Sequence, residues 1–174
     1  MTELQATGHA TPGVESVESM DISELVSPST VAVRAGVTTK RQLMNILAEL
    51  ASPAVGASEK VLVEGLMERE ALGSTGLSGG AAVPHARSPE ISKVSGVFVK
   101  LEQPLEFDAV DDRPVDLVFA LFAPAEDGAE HLRALAAVSR LLRRPEVREQ
   151  LRRARTPEAL YALLVHRIEA SAAA

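Results

Sequence analysis

The segment most suited to chemistry runs Gly73-Ser74-Thr75-Gly76-Leu77-Ser78-Gly79-Gly80-Ala81-Ala82-Val83-Pro84-His85-Ala86-Arg87. Four glycines within the eight residues 73–80 let backbone N–H groups come close to a ligand, a common way of cradling an anion. Pro84 fixes its own φ and biases Val83 towards an extended shape. His85 therefore leaves a stiff segment beside a permissive one. A neutral imidazole, with a reference pKa of about 6.5, is a competent nucleophile. On these residues alone, a nucleophile and a loop-edge histidine without a chemical task are equal readings.

The elements that must hold this segment alternate between two periodicities. Val31-Ala32-Val33 reads as a short strand. Thr39 precedes a helix with Leu43, Ile46, Leu47 and Leu50 on one face. Pro53, Gly56 and Ser58 are expected to break the chain, and a second helix carries Val61, Leu62, Leu66 and Met67, ending near Leu72-Gly73. Residues 73–84 are expected to be irregular for much of their length.

Val94–Leu101 and Val115–Phe122 read as strands, the second so continuously apolar that it should be buried on both faces. Phe107-Asp108-Ala109-Val110 is expected to add a short strand or a turn. Asp127 followed by Glu130 resembles a capping box, opening a helix with Leu132, Leu135, Val138 and Leu142 as its buried stripe. Pro145 opens another helix, and Thr156-Pro157 caps a last one carrying Leu160, Leu163 and Leu164. Helices before and after a group of strands imply an α/β sandwich. Residues 1–19 read as a disordered tail, 20–168 as a single domain and 169–174 as a frayed end.

Bulk properties narrow the function. The 174 residues contain 46% hydrophobic but only 3% aromatic side chains, so the core is expected to be aliphatic. There is no cysteine, which excludes thiolate metal sites and thiol nucleophiles. A formal charge of -6 weighs against nucleic acid as a partner. A helix-turn-helix across residues 39–72 is disfavoured by that charge and by its long connection. The start lacks the basic and apolar stretches of a signal peptide and no run is long enough to span a bilayer, so a cytoplasmic, non-membrane protein is expected. No spacing suggests a metal site, and no cofactor is expected.

Gly73-Ser74-Thr75-Gly76 and Ala82-Val83-Pro84-His85 together resemble the phosphorylation-site signature of the mannitol/fructose-type enzyme IIA domains. These belong to the bacterial phosphoenolpyruvate-dependent sugar phosphotransferase system. Pro114-Val-Asp-Leu-Val-Phe-Ala-Leu-Phe-Ala-Pro124, followed by Glu130-His131-Leu132, resembles the same family. The likeness runs from about Met20 to about His166 and is greatest to the nitrogen-regulatory branch. It implies an α/β fold with a mixed central sheet flanked by helices. It also implies phosphorylation of His85 on Nε2 by a small HPr-type phosphocarrier.

Arg69 fits the family arginine upstream of the Ser-Thr segment, and His131 fits its second histidine. A guanidinium can stabilise a phosphoryl group through paired donors. His131 falls in the first turn after Asp127, where the helix dipole favours an incoming anion and disfavours imidazolium. A neutral hydrogen-bond donor is therefore its expected role. Ser74, Thr75, Gly76, Gly80 and Pro84 are the loop residues expected to shape the phosphate site. Outside the resemblance, Arg69 would read as a solvated helix-end charge and His131 as a surface residue.

Many family members carry Gly after the phosphorylated histidine, whereas this chain carries Ala86. Alanine is costly there only if φ must be positive. His9 lies in the expected tail and His166 should be exposed. Asp108, Asp111 and Asp112 read first as a solvated turn, with an acidic rim for a basic carrier as the sharper alternative. The resemblance implies two outputs. One is regulation by phosphorylation-dependent binding, with a potassium transporter or sensor kinase as a plausible target. The other is relay to a separate fructose- or mannitol-type enzyme IIB for sugar uptake.

Overall fold

The computed structural model describes residues 20–126 and 128–172, with side chains described through His166. The expectation for residues 1–19 and the capping role of Asp127 lie outside the described residues. Two 3-10 turns, Ile22–Glu24 and Pro28–Thr30, lead into strand β1 (Val31–Arg34). Helices α1 (Lys40–Val55) and α2 (Glu59–Ala71) follow, then strands β2 (Ala81–Ala82), β3 (His85–Ser88), β4 (Ser95–Leu105) and β5 (Val115–Pro124). Helices α3 (Gly128–Leu142), α4 (Pro145–Arg153) and α5 (Pro157–Ala172) complete the chain. The helical backbone of α5 continues past residue 168.

The sheet is mixed. β1 pairs parallel with β4, β4 antiparallel with β5, and both β2 and β3 parallel with β5. β2 and β3 thus occupy one edge position, interrupted at Val83-Pro84. Proline has no N–H for a ladder and tolerates an edge position. Its carbonyl still serves, accepting from the Leu121 N–H at 2.9 Å.

Alternation along β5 buries both of its faces. Val118, Ala120 and Phe122 join Leu43, Leu47, Leu62 and Leu66 beneath α1 and α2. Leu117, Phe119 and Leu121 join Val138, Leu142, Leu151 and Leu160 beneath α3, α4 and α5. Phe119 also meets Phe98 across the ladder, edge to face at 6.1 Å, and fills the space left by Gly96. The result is helices on both faces of a mixed sheet, an α/β sandwich.

Two local expectations are corrected. Pro53 does not break the first helix, which runs through it to Val55 and ends at Gly56 in the left-handed region (φ 74). Proline in a last turn forfeits a single ladder bond, while burial of Ala51 and Val55 holds that turn to the sheet. Leu132 is not part of the buried stripe of α3 but 67% exposed; that face is built by His131, Ala134, Val138, Leu141 and Leu142. Of the two alternatives for residues 107–110 the structure takes the turn, closed by the Asp112 N–H on the Ala109 carbonyl at 2.9 Å, with Asp108 and Asp112 at positive φ. Residues 73–84 are irregular for much of their length, as expected, and contain β2 and a Gly76–Ala82 bridge.

Candidate functional site

His85 opens β3 at the sheet edge, in register with Leu121. The next residue, Ala86, is buried on the α1/α2 side, and a Cβ added to Gly65 of α2 would lie 3.0 Å from it. Strand alternation therefore turns the His85 ring to the other face, where α3 brings His131 to a centroid distance of 5.5 Å at 50°. Ala86 is absent from the positive-φ residues, so alanine after this histidine carries no backbone strain.

Both ring nitrogens of His85 are engaged. Nδ1 lies 2.9 Å from the Val83 carbonyl oxygen, which can only accept. Arg69 Nε lies 3.1 Å from Nε2 and can only donate. The hydrogen must sit on Nδ1, and Nε2 must present its lone pair. This pattern fits neutral imidazole only. Burial pushes the His85 pKa below its ordinary value, and the Arg69 charge adds to that, against opposing contributions from the Val83 carbonyl and Glu70.

His131, in the first turns of α3, is 5% exposed. Its Nδ1 has no hydrogen-bond partner among the described residues. Burial first, then the neighbouring His85 and Arg87, push its pKa down to about 4. Both histidines are uncharged at neutral pH.

The Gly-rich segment is pinned at its two ends. At the first, the Ser74 hydroxyl donates to the Phe107 carbonyl at 2.6 Å and accepts from the Gly76 N–H at 3.1 Å. Thr75 donates to Glu70 through its N–H and, at 2.6 Å, through its hydroxyl. Gly76 packs so closely on Ala109 that a Cβ would lie 2.7 Å from the Ala109 methyl. At the other end, Arg152 donates to the Gly79 carbonyl at 2.6 Å and to both Asp116 oxygens. The Gly79 N–H donates to Asp111 at 2.9 Å. Gly80, at φ 80, presents its carbonyl to the N–H groups of Asp116 and Leu117.

Of the residues singled out from the sequence, His85, Arg69 and His131 converge. Pro84 is buried beside His85, and Ser74, Thr75 and Gly76 follow the end of α2, the Ser74 and Thr75 hydroxyls and the Gly76 N–H engaged inside the protein. Gly80 is tied towards Asp116 and Arg152, at the opposite end of the segment. His166 is exposed. Asp111 does more than decorate a turn, because its carboxylate holds the Gly79 N–H and is kept below the usual carboxylate range mainly by that bond.

Glu70 was not reached from the sequence. One signal was available: an acidic residue in the last turn of a helix opposes the macrodipole and asks for a reason.

The geometry brings two uncharged histidines and a guanidinium together at one edge of an α/β sandwich, and similarity to known proteins identifies the family. The family described as "Phosphoenolpyruvate-dependent sugar phosphotransferase system, EIIA 2" matches residues 24–166. The chain belongs to that family, whose members transfer phosphoryl groups through histidine. A nitrogen regulatory protein of Bradyrhizobium diazoefficiens is 40% identical over 145 residues, 83% of this chain and 95% of that protein. A fructose-specific EIIA component of Haloferax volcanii is 31% identical over 150 residues, 86% of this chain and 97% of that protein. The crystal structure of nitrogen regulatory protein IIA-Ntr from Neisseria meningitidis superposes with a TM-score of 0.76 at 33% identity, covering 82% of this chain and 98% of that one. The relatives support a phosphocarrier or regulatory role. Among the described residues no helix is long and apolar enough to cross a membrane.

Proposed function

We propose that His85 accepts a phosphoryl group on Nε2 from an HPr-type phosphohistidine carrier, and that the phosphorylated and free forms bind regulatory partners differently. The carrying observation is the pair of hydrogen bonds that puts the proton on Nδ1 and leaves the Nε2 lone pair beside the Arg69 guanidinium.

The step balances on this chain's own atoms and the donor's. The Nε2 lone pair attacks phosphorus, and the donor's N–P bond breaks with its electron pair leaving on the donor imidazole. The Arg69 N–H groups turn from Nε2 to the incoming phosphoryl oxygens, where charge-assisted bonds are strongest. As Nε2 bonds to phosphorus, positive charge grows on the ring. The Val83 carbonyl, already accepting from Nδ1–H, stabilises it. His131, kept uncharged by burial, lies close enough to the same group to donate a hydrogen bond. Neither step calls for a metal or a cofactor.

The regulatory output, directed at nitrogen, potassium or carbon metabolism, rests on the similarity to nitrogen regulatory proteins. A phosphoryl group adds about -1.5 to -2 charges on hydroxyl amino acids, and a comparable change at His85 alters which surface fits there. The fructose-specific relative supports a second reading, relay to a separate enzyme IIB for sugar uptake.

Incubation with phosphoenolpyruvate, enzyme I and the HPr-type carrier, followed by mass spectrometry, tests the acceptor. An acid-labile phosphate is expected on wild type and absent from His85→Ala. A phosphorylated carrier that leaves the folded wild type unmodified refutes it. Transfer onward to an enzyme IIB would favour relay over regulation.

A further inference from the structure

Glu70 occupies three unfavourable situations at once. Its carboxylate is 6% exposed, it sits in the last turn of α2 where the dipole disfavours anions, and it lies near the site of an incoming phosphoryl dianion. Its charge is balanced by Lys40, whose ammonium lies 3.0 Å from Oε1 and 4.5 Å from the centre of the Phe107 ring. An ion pair this buried is weak evidence for stability alone. What it holds is more specific. Glu70 accepts from the Thr75 N–H and, at 2.6 Å, from the Thr75 hydroxyl. The Thr75 carbonyl accepts the Val83 N–H at 3.0 Å. The Val83 carbonyl accepts Nδ1–H of His85.

Resting on the reading of His85 as phosphoryl acceptor, we propose that Glu70 is a positioning residue which, through Thr75 and Val83, fixes the Nδ1–H tautomer of His85 and so keeps Nε2 nucleophilic. One helical turn then controls both ring nitrogens. Arg69 addresses Nε2 directly, and Glu70 addresses Nδ1 across two residues of the Gly-rich segment. Lys40 donates to Oε1 at 3.0 Å and so holds the carboxylate in place, with Oε2 turned to the Thr75 hydroxyl.

The full chain with 15N-labelled histidine tests this in two independent arms. Long-range 1H–15N spectra report the His85 tautomer without any phosphorylation. Initial rates with the phosphorylated HPr-type carrier report kcat and KM. Wild type is expected to show the Nδ1–H form alone. Glu70→Ala should show both tautomers and lose about tenfold in kcat, with KM within about twofold, because the defect lies in alignment rather than docking. Glu70→Gln should restore most of both, since its amide oxygen still accepts from Thr75.

A folded Glu70→Ala with a single Nδ1–H tautomer and wild-type kcat overturns the proposal. If that variant does not fold, Thr75→Val decides, since it removes the hydroxyl bond and keeps the backbone one. Partial tautomer mixing supports the role, and a wild-type spectrum with a wild-type rate refutes it. A wild type that is never phosphorylated, yet loses its single tautomer on Glu70→Ala, would sink the acceptor assignment while leaving the positioning intact.

Discussion

His85 and His131 face each other at 5.5 Å, yet they are held in opposite ways. His85 opens an edge strand and has a partner on each ring nitrogen, so both its orientation and its tautomer are set. His131 is wedged into the first turns of α3 by packing, more deeply buried, with one nitrogen unpaired among the described residues. Hydrogen bonds define the first ring and burial defines the second. The contrast divides the work. A nucleophile needs a lone pair in a known place, whereas a group that greets an anion needs only to be near and uncharged.

The largest effect expected from breaking this arrangement is on the bonded side. Arg69→Ala should reduce the rate of phosphorylation by about 100-fold, the loss typical of one preorganised donor at a developing charge. Arg69→Lys should recover only part, because an ammonium lacks the fork that reaches both the Gly73 carbonyl and His85. Single-turnover transfer from the phosphorylated carrier measures both, and an unimpaired Arg69→Ala would remove the guanidinium from the mechanism.

A smaller loss is expected on the packed side. His131→Gln should slow transfer by about tenfold and leave the His85 tautomer unchanged. Coupled loss of that tautomer would mean that the two rings are not independent.

The smallest effect concerns pH. His131 has its pKa pushed from 6.5 to about 4, and that of His85 is lowered as well. The unfolded chain therefore takes up protons below about pH 6.5 that the folded chain refuses. The stability at stake is fully present above pH 6.5, falls as the pH drops towards 4, and levels off below that. Thermal melts across this window should show a falling Tm in wild type and a flatter profile in His131→Gln. Parallel profiles would place the proton uptake elsewhere.

Much of the fold was legible because it rests on short-range pattern. The unbroken apolar run of β5, the Thr39 and Thr156 caps and Pro145 all do in the structure what their positions announce. Leu132 and Pro53 misled for a related reason. A stripe read from leucines alone is rotated when a histidine and an alanine take the buried positions, and a proline breaks a helix only where there is more helix to break. In the site, His85 was reached from its own segment as well as through likeness to a family, and Arg69 and His131 through that likeness alone. Glu70 and Arg152 were not, because their importance comes from what the fold brings to them; Arg152 meets Gly79 across 73 positions. A charged residue on a helix carries no mark of that in its own neighbourhood.

The contact between Gly65 and Ala86 ties two positions into one. A methyl added at Gly65 would lie 3.0 Å from the Ala86 methyl, tighter than ordinary packing. Gly65 and Ala86 therefore form an epistatic pair: what a side chain at 65 costs is set by what stands at 86, and the two cannot be varied independently.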